Sequence, residues 1–99
     1  MNDMYFDKDG TAITRDEWAE RLNPEYQRVE LTKVGDATIS TVWLGLNHNY
    51  GDGAPLIFET LVFDGALDGN MMRYATIDEA REGHQQMVNE VMGSIGVTP

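Results

Sequence analysis

Alternating polar and apolar residues in the middle of the chain predict a β-hairpin. Residues 28–34 and 37–46 place Val, Leu and Ile between polar residues, and the second segment is rich in β-branched side chains. The link between them, Gly35-Asp36, has the length and composition of a tight hairpin turn. Because Val42-Trp43-Leu44 is apolar on both sides of the chain, we expect the second strand to lie inside a sheet rather than at its edge.

Two further strands are predicted downstream. Residues 56–63 are almost wholly apolar, which is typical of a central strand. The dipeptides Asp64-Gly65 and Asp68-Gly69 are turn signals, and residues 70–74 follow them as a fourth strand. Glu59 interrupts the apolar run on the side that also carries Ile57 and Leu61. We interpret it as one half of a cross-strand ion pair, with Arg28 or Arg73 as the other half.

An amphipathic helix is predicted at the end of the chain. Thr76 and Glu79 have the spacing of a capping box, and Gly93 is expected to end the helix. Between them, residues at three- and four-residue intervals form one apolar stripe that must be buried. These residues are Ile77, Ala80, His84, Met87, Val88, Val91 and Met92.

The first quarter of the chain predicts a hairpin followed by a short helix. Residues 4–13 contain the turn sequence Asp-Lys-Asp-Gly, and Thr14 and Glu17 form another capping box. Asn23-Pro24 is expected to end this helix, since the residue before proline disfavours helical geometry. Its inner face is predicted to consist of Trp18, Ala19 and Leu22.

Together these elements predict an α+β fold in one domain spanning residues 1–99. An antiparallel four- to five-stranded meander would carry the C-terminal helix packed on one face and the short N-terminal helix near an edge. A chain of 99 residues buries a modest core, and a deep reaction cavity would remove contacts that the core needs. We therefore expect a binding protein rather than an enzyme.

The net charge of the chain limits the classes of partner that we expect. Asp and Glu number 17 against 7 Lys and Arg, a net charge of −10. Such a surface repels nucleic acid and anionic membranes and favours a basic protein partner, although it also serves solubility. One alternative is a DNA mimic that inhibits a nucleic-acid enzyme through a shared acidic face on the two helices. That face would be formed by Asp16, Glu20, Asp78, Glu82 and Glu90.

Residues for cofactor or metal chemistry are few, and we predict neither kind of site. The chain has no cysteine and two histidines. His84 lies in the apolar stripe and is interpreted as a hydrogen-bonded core residue, and His48 as a solvent-facing loop residue. Residues 7–18 superficially suggest a calcium loop, but Ala12 and Trp18 stand where that loop requires Gly and Glu.

The longest irregular segment, residues 47–55, is the predicted partner-binding loop. Two aromatic residues outside it are predicted to be surplus exposed contacts, because Tyr and Trp are enriched at interface hot spots. The predicted partner-binding residues are Asn47, His48, Asn49, Tyr50, Asp52, Trp18 and Tyr26.

Residues 5–19, 40–46, 56–76 and 79–84, taken in this order, resemble a group of small hypothetical proteins of bacteriophage and actinobacterial genomes. The group has no assigned activity, so the resemblance implies no catalytic residue. It implies a phage-type accessory protein that binds a host or phage protein. A structural homo-oligomer is a further alternative, which would show as an apolar patch on the uncovered face of the sheet.

The chain has no apolar run of about 18 residues, and its first residues lack the basic-then-apolar order of a signal peptide. We therefore expect a cytoplasmic protein without a membrane anchor. If it is encoded by a phage, the compartment would be the host cytoplasm.

Overall fold

A four-stranded antiparallel meander forms the centre of the computed structural model, which describes residues 4–49 and 51–97. Its strands lie side by side in chain order and confirm the predicted α+β class, with four strands. They are β1 (Arg28–Val34), β2 (Ala37–Trp43), β3 (Phe58–Phe63) and β4 (Met71–Tyr74).

The predicted hairpin forms with β1 at the predicted bounds and Gly35-Asp36 as its turn. The predicted end of β2 at residue 46 is wrong, since the strand stops at Trp43. Gly45 has a φ of 71°, a left-handed conformation that no strand contains. A Cβ atom at Gly45 would overlap the ring of Trp43, so glycine is required where the strand ends.

Helix α3 (Ile77–Ser94) covers one face of the sheet and contacts all four strands. Thr76 caps it by accepting a hydrogen bond from the backbone N–H of Glu79 at 3.1 Å. The helix passes Gly93 and ends one residue later than predicted, with Ile95 as C-cap and Gly96 at a φ of 79°. Most of the predicted stripe is buried, and Gly83 is buried beside it.

Two short helices precede the sheet, α1 (Arg15–Glu20) and α2 (Pro24–Gln27). The capping box of Thr14 and Glu17 is present, as predicted. The predicted inner face is wrong for Ala19 and Leu22, which are exposed. Because α1 has only six residues, Leu22 lies beyond it and outside its periodicity. Ahead of α1, backbone bridges pair Phe6 with Ala12 and Tyr5 with Leu46.

The core under α3 consists of two apolar clusters. One surrounds Trp43 and Phe58, and the other surrounds Ile39 and Val62. Trp43, Phe58 and Ile39 are fully buried. Within the described residues, no helix combines the length and the apolar character needed to cross a bilayer.

Candidate interaction surfaces

The face of the sheet opposite α3, here called the helix-free face because α3 does not cover it, is built from three cross-strand rows. Pro24 and Gln27 of α2 border it beside Ser40 and Val42. Its residues alternate with those that α3 buries, so their side chains point to the opposite side. The central row consists of Leu31, Ser40, Leu61 and Met71, one flanking row of Arg28, Val42, Glu59 and Arg73, and the other of Lys33, Thr38 and Phe63.

The helix-free face exposes large apolar side chains. Leu61, Phe63 and Met71 adjoin one another on β3 and β4, and Leu31 lies beyond Ser40 on β1. Leu31, Phe63 and Met71 are 46–49% exposed, and Leu61 is half-buried. Single exposed apolar residues are common on protein surfaces, but a group of them with charged flanks is typical of a binding surface. The face therefore has an apolar centre and a charged rim.

The rim of the helix-free face is positively charged, in contrast to the chain as a whole. Arg28, Lys33 and Arg73 contribute three positive charges and Glu59 one negative charge, which leaves +2. Arg73 Nε donates a hydrogen bond to Glu59 Oε2 at 3.1 Å, so the predicted ion pair of Glu59 is confirmed with Arg73 as its partner.

A second surface feature is a groove between strand β4 and helix α3, here called the β4–α3 groove. It comprises two adjoining hollows of about 300 Å³ and 240 Å³ that share Tyr74, Gly83 and Gln86. Glu79, Glu82 and Glu90 line it from the helix, and its lining contains no Lys or Arg. The groove is therefore acidic.

Tyr74 lies at the bottom of the β4–α3 groove and packs against α3. Its side chain crosses Gly83 so closely that a Cβ atom there would overlap the ring. Tyr74 is only 8% exposed, and its buried hydroxyl has no hydrogen-bond partner among the described residues. A buried hydroxyl without a partner is uncommon, because the group gives up its bonds to water.

A buried polar cluster joins α3 to three strands at His84. Thr41 Oγ1 lies 2.7 Å from His84 Nδ1, and Thr32 Oγ1 lies 2.8 Å from Nε2. The carboxylate oxygen Oε2 of Glu30, which as a carboxylate can only accept a hydrogen bond, is 3.5 Å from Nε2. Thr41 Oγ1 also forms a hydrogen bond with the buried hydroxyl of Thr60.

The His84 cluster is structural rather than catalytic in its geometry. His84 is 0% exposed, and burial lowers its pKa, against a smaller opposite effect of the Glu30 carboxylate. The interpretation of His84 from the sequence, as a hydrogen-bonded residue of the core, is confirmed. Its two nitrogens fix the helix over Thr32 and Thr41, and no substrate can reach it without moving α3.

The start of the predicted partner-binding loop is held by the side chain of Asn47. Asn47, His48 and Asn49 are half-buried, and Asn47 Oδ1 accepts from the N–H groups of Asn49 and Leu56 at 2.8 and 3.2 Å. Asp52 is exposed. Tyr50 lies outside the described residues. His48, expected to face solvent, is half-buried.

Trp18 and Tyr26 differ from the expectation of surplus exposed aromatics, since both are half-buried against the Trp43 cluster. The Trp18 indole N–H donates to the Leu44 carbonyl at 2.9 Å. The Tyr26 ring meets Trp43 edge-on at 4.7 Å, and its hydroxyl accepts from the N–H of Lys8 at 3.0 Å. Each ring therefore supports the core and leaves one side exposed.

Neither the helix-free face nor the β4–α3 groove contains a residue of the predicted partner-binding set. The alternation of Glu59, Leu61 and Phe63 was a usable signal for the face, because it places apolar and charged residues together on one side of β3. The sequence offers no comparable signal for the groove, which depends on Tyr74 and Gly83 meeting across two elements.

The described residues contain no group of three or more acidic, histidine or cysteine side chains that could hold a metal ion. In the segment that resembles a calcium loop, Asp7 Oδ1 accepts from the backbone N–H groups of Asp9 and Thr11, both at 2.9 Å. This carboxylate closes a turn.

Comparisons with protein-family models, curated proteins and solved structures find no match.

Proposed function

We propose that the protein is a small protein-binding module without a catalytic role, and that it docks through its helix-free face onto another protein. The supporting observation is the apolar group of Leu61, Phe63 and Met71, which lies between charged residues and has the exposed Leu31 beyond Ser40 on the same face. An apolar centre with a polar rim is the usual anatomy of a protein interface.

The size of the helix-free face favours a transient complex. Four strands about 4.8 Å apart and three rows about 6.8 Å apart cover roughly 400 Å² on one partner. Such a contact buries on the order of 800 Å² from both partners, whereas permanent dimers bury upwards of about 2,000 Å². The occupant is therefore a protein that binds and leaves.

The charge of the face favours a different protein over a second copy. Two helix-free faces packed together would bring two rims of +2 into contact, which opposes binding. A partner surface with an apolar centre and an acidic rim matches both features. Following the resemblance noted above, the partner is a host or phage protein in a bacterial cytoplasm, on which this protein acts as an accessory factor.

The DNA-mimic alternative receives less support from the fold. Its acidic residues lie on α1 and α3, and these two helices do not contact each other within the described part of the chain. A continuous acidic face at phosphate spacing would need them side by side.

The test is capture of a partner from a lysate of the producing cells by wild type, Leu31→Asp and Leu22→Asp. Both leucines are exposed, at 49% and 43%, but Leu22 lies outside the helix-free face. We expect a partner retained by wild type and Leu22→Asp and lost with Leu31→Asp. Equal retention or equal loss would contradict the proposal.

Sedimentation velocity of the purified protein checks for self-association. We expect a monomer at micromolar concentration. A dimer that Leu31→Asp dissociates would make the second copy the occupant of the face and would overturn this assignment.

A further inference from the structure

We propose that the β4–α3 groove is a second binding site, which takes an extended, cationic segment of another protein as an added strand beside β4. The site adjoins the helix-free face through the backbone of Met71 and Arg73, but its groove lies on the other side of β4 and the argument for it does not depend on that face. Three features support it: an open sheet edge, an acidic groove beside that edge, and the buried hydroxyl of Tyr74.

The backbone of β4 is available for pairing on its outer side. The carbonyls of Asn70 and Tyr74 accept from Val62 and Ile57, so these residues direct their backbone groups towards β3. By the alternation of an antiparallel ladder, Met71 and Arg73 direct their N–H and C=O groups away from the sheet. An extended peptide can complete these hydrogen bonds, as in known cases of strand addition.

The groove lies where alternate side chains of an added strand would point. Met72 and Tyr74 are the β4 residues on the helix side of the sheet, because they pair with the buried Thr60 and Phe58. Every second side chain of a strand beside β4 would therefore enter the space between these residues and α3.

The lining of the groove suits lysine and arginine. Met72 and Met87 offer apolar surface to the aliphatic part of a long cationic side chain. Glu82 and Glu90 can accept hydrogen bonds from its charged end. The net charge of −10 on the whole chain attracts the same class of ligand.

Such a ligand would explain why the hydroxyl of Tyr74 is buried without a hydrogen-bond partner. Glu79, Glu82 and Gln86, which line the groove around it, are exposed and can change rotamer. An entering ammonium or guanidinium group would donate to the phenolic oxygen and supply the partner that the free protein lacks. The hydroxyl would then contribute to binding and not to folding.

The test is a titration of ¹⁵N-labelled protein with the peptide acetyl-Lys-Val-Lys-Val-Lys-Val-Lys-amide at about 0.15 M salt. We expect amide shifts at Met71, Arg73 and Gly83. We also expect hydrogen exchange of the Met71 and Arg73 amides to slow at least about tenfold at saturation, as new backbone hydrogen bonds form.

Two control peptides separate strand addition from charge attraction. The same sequence with N-methylated valines keeps the charge but cannot pair, and the sequence with Glu in place of Lys keeps the backbone but reverses the charge. Both should bind at least about tenfold more weakly. Equal binding by either, or shifts that avoid β4, would overturn the proposal.

Two variants test the side chains. Tyr74→Phe should weaken binding of the lysine peptide about tenfold while the free protein stays at least as stable to urea. Glu82→Gln should weaken binding severalfold, and Glu25→Gln on α2 should not. Leu31→Asp should bind the peptide like wild type, since the helix-free face is a different surface. Binding unchanged in Tyr74→Phe and Glu82→Gln would contradict the site.

Discussion

The two faces of the sheet carry similar apolar residues but differ in what covers them. On β3, Phe58 and Val62 are buried under α3, whereas Leu61 and Phe63 on the other side reach solvent. The first set stabilises the fold, and the second is the set that we propose contacts a partner. The comparison shows that the apolar character of a strand residue does not distinguish core from surface, and that helix coverage does.

The largest expected effect is a difference in stability between the two faces. Ile39→Ala, at a fully buried position, should lower the free energy of unfolding by about 2–5 kcal/mol. Leu31→Ala, at 49% exposure, should lower it by less than about 1 kcal/mol. Urea denaturation followed by circular dichroism measures both. Similar losses would mean that the helix-free face also serves as core.

Two glycines of α3 allow a buried and an exposed position to be compared within the helix that covers the sheet. Gly83→Ala should cost about 1–3 kcal/mol, because the added Cβ overlaps the Tyr74 ring and forces overpacking. Gly93→Ala should gain about 0.5–1 kcal/mol, since nothing lies near its Cβ position and alanine favours the helix. Thermal denaturation gives the sign of each change, and equal signs would contradict the described packing.

The covered face should also respond to pH through His84. Its pKa is lowered in the folded protein, so below about pH 6.5 the unfolded chain binds a proton that the folded protein does not. The free energy of unfolding should fall by up to about 1.4 kcal/mol per pH unit as the pH drops from about 6.5 to 5.5. Above about pH 6.5, the titration of His84 should change it little. The facing charged group is Glu30.

Urea unfolding at pH 7.5, 6.5 and 5.5 measures this effect. His48→Gln is the control and should keep the pH dependence, while His84→Gln should lose it at the cost of lower stability. A flat wild-type profile in this range would mean that the folded protein accommodates the imidazolium.

The smallest expected effect lies on the helix-free face. Glu59→Gln, which removes the charge paired with Arg73, should change stability by no more than about 1 kcal/mol, because both side chains are partly exposed. The difference from wild type should shrink further in 1 M salt. A larger loss would mean that the ion pair contributes substantially to the stability of the fold.

Much of the fold could be predicted from the sequence because its signals are local. The bounds of β1, its turn and the stripe of α3 follow from periodicity and turn chemistry. Helix α2 also had a local signal, since Asn23 is its N-cap and Pro24 its first residue. We interpreted that dipeptide only as the end of α1. The early end of β2, in contrast, depends on the close packing of Gly45 against Trp43 and Trp18.

The candidate surfaces were harder to predict because they arise from tertiary packing. Leu61 and Val62 are both apolar, and only the position of α3 decides which one stays in contact with solvent. The aromatic residues Trp18 and Tyr26 were expected at the surface, but nearby backbone groups hydrogen-bond to their polar atoms and draw them towards the core. Their role as partner contacts stays a prediction.

The most direct test of the helix-free face uses the absence of cysteine from the chain. A single cysteine at Leu31→Cys, or at the control Leu22→Cys, reports the solvent access of its surface to a maleimide reagent. We predict that both label rapidly in the purified protein, and that inside producing cells Leu31→Cys alone labels more slowly, because a transiently bound partner covers it for part of the time. Equal labelling of Leu31→Cys in cells and in isolation would contradict the assignment of this face to a partner protein.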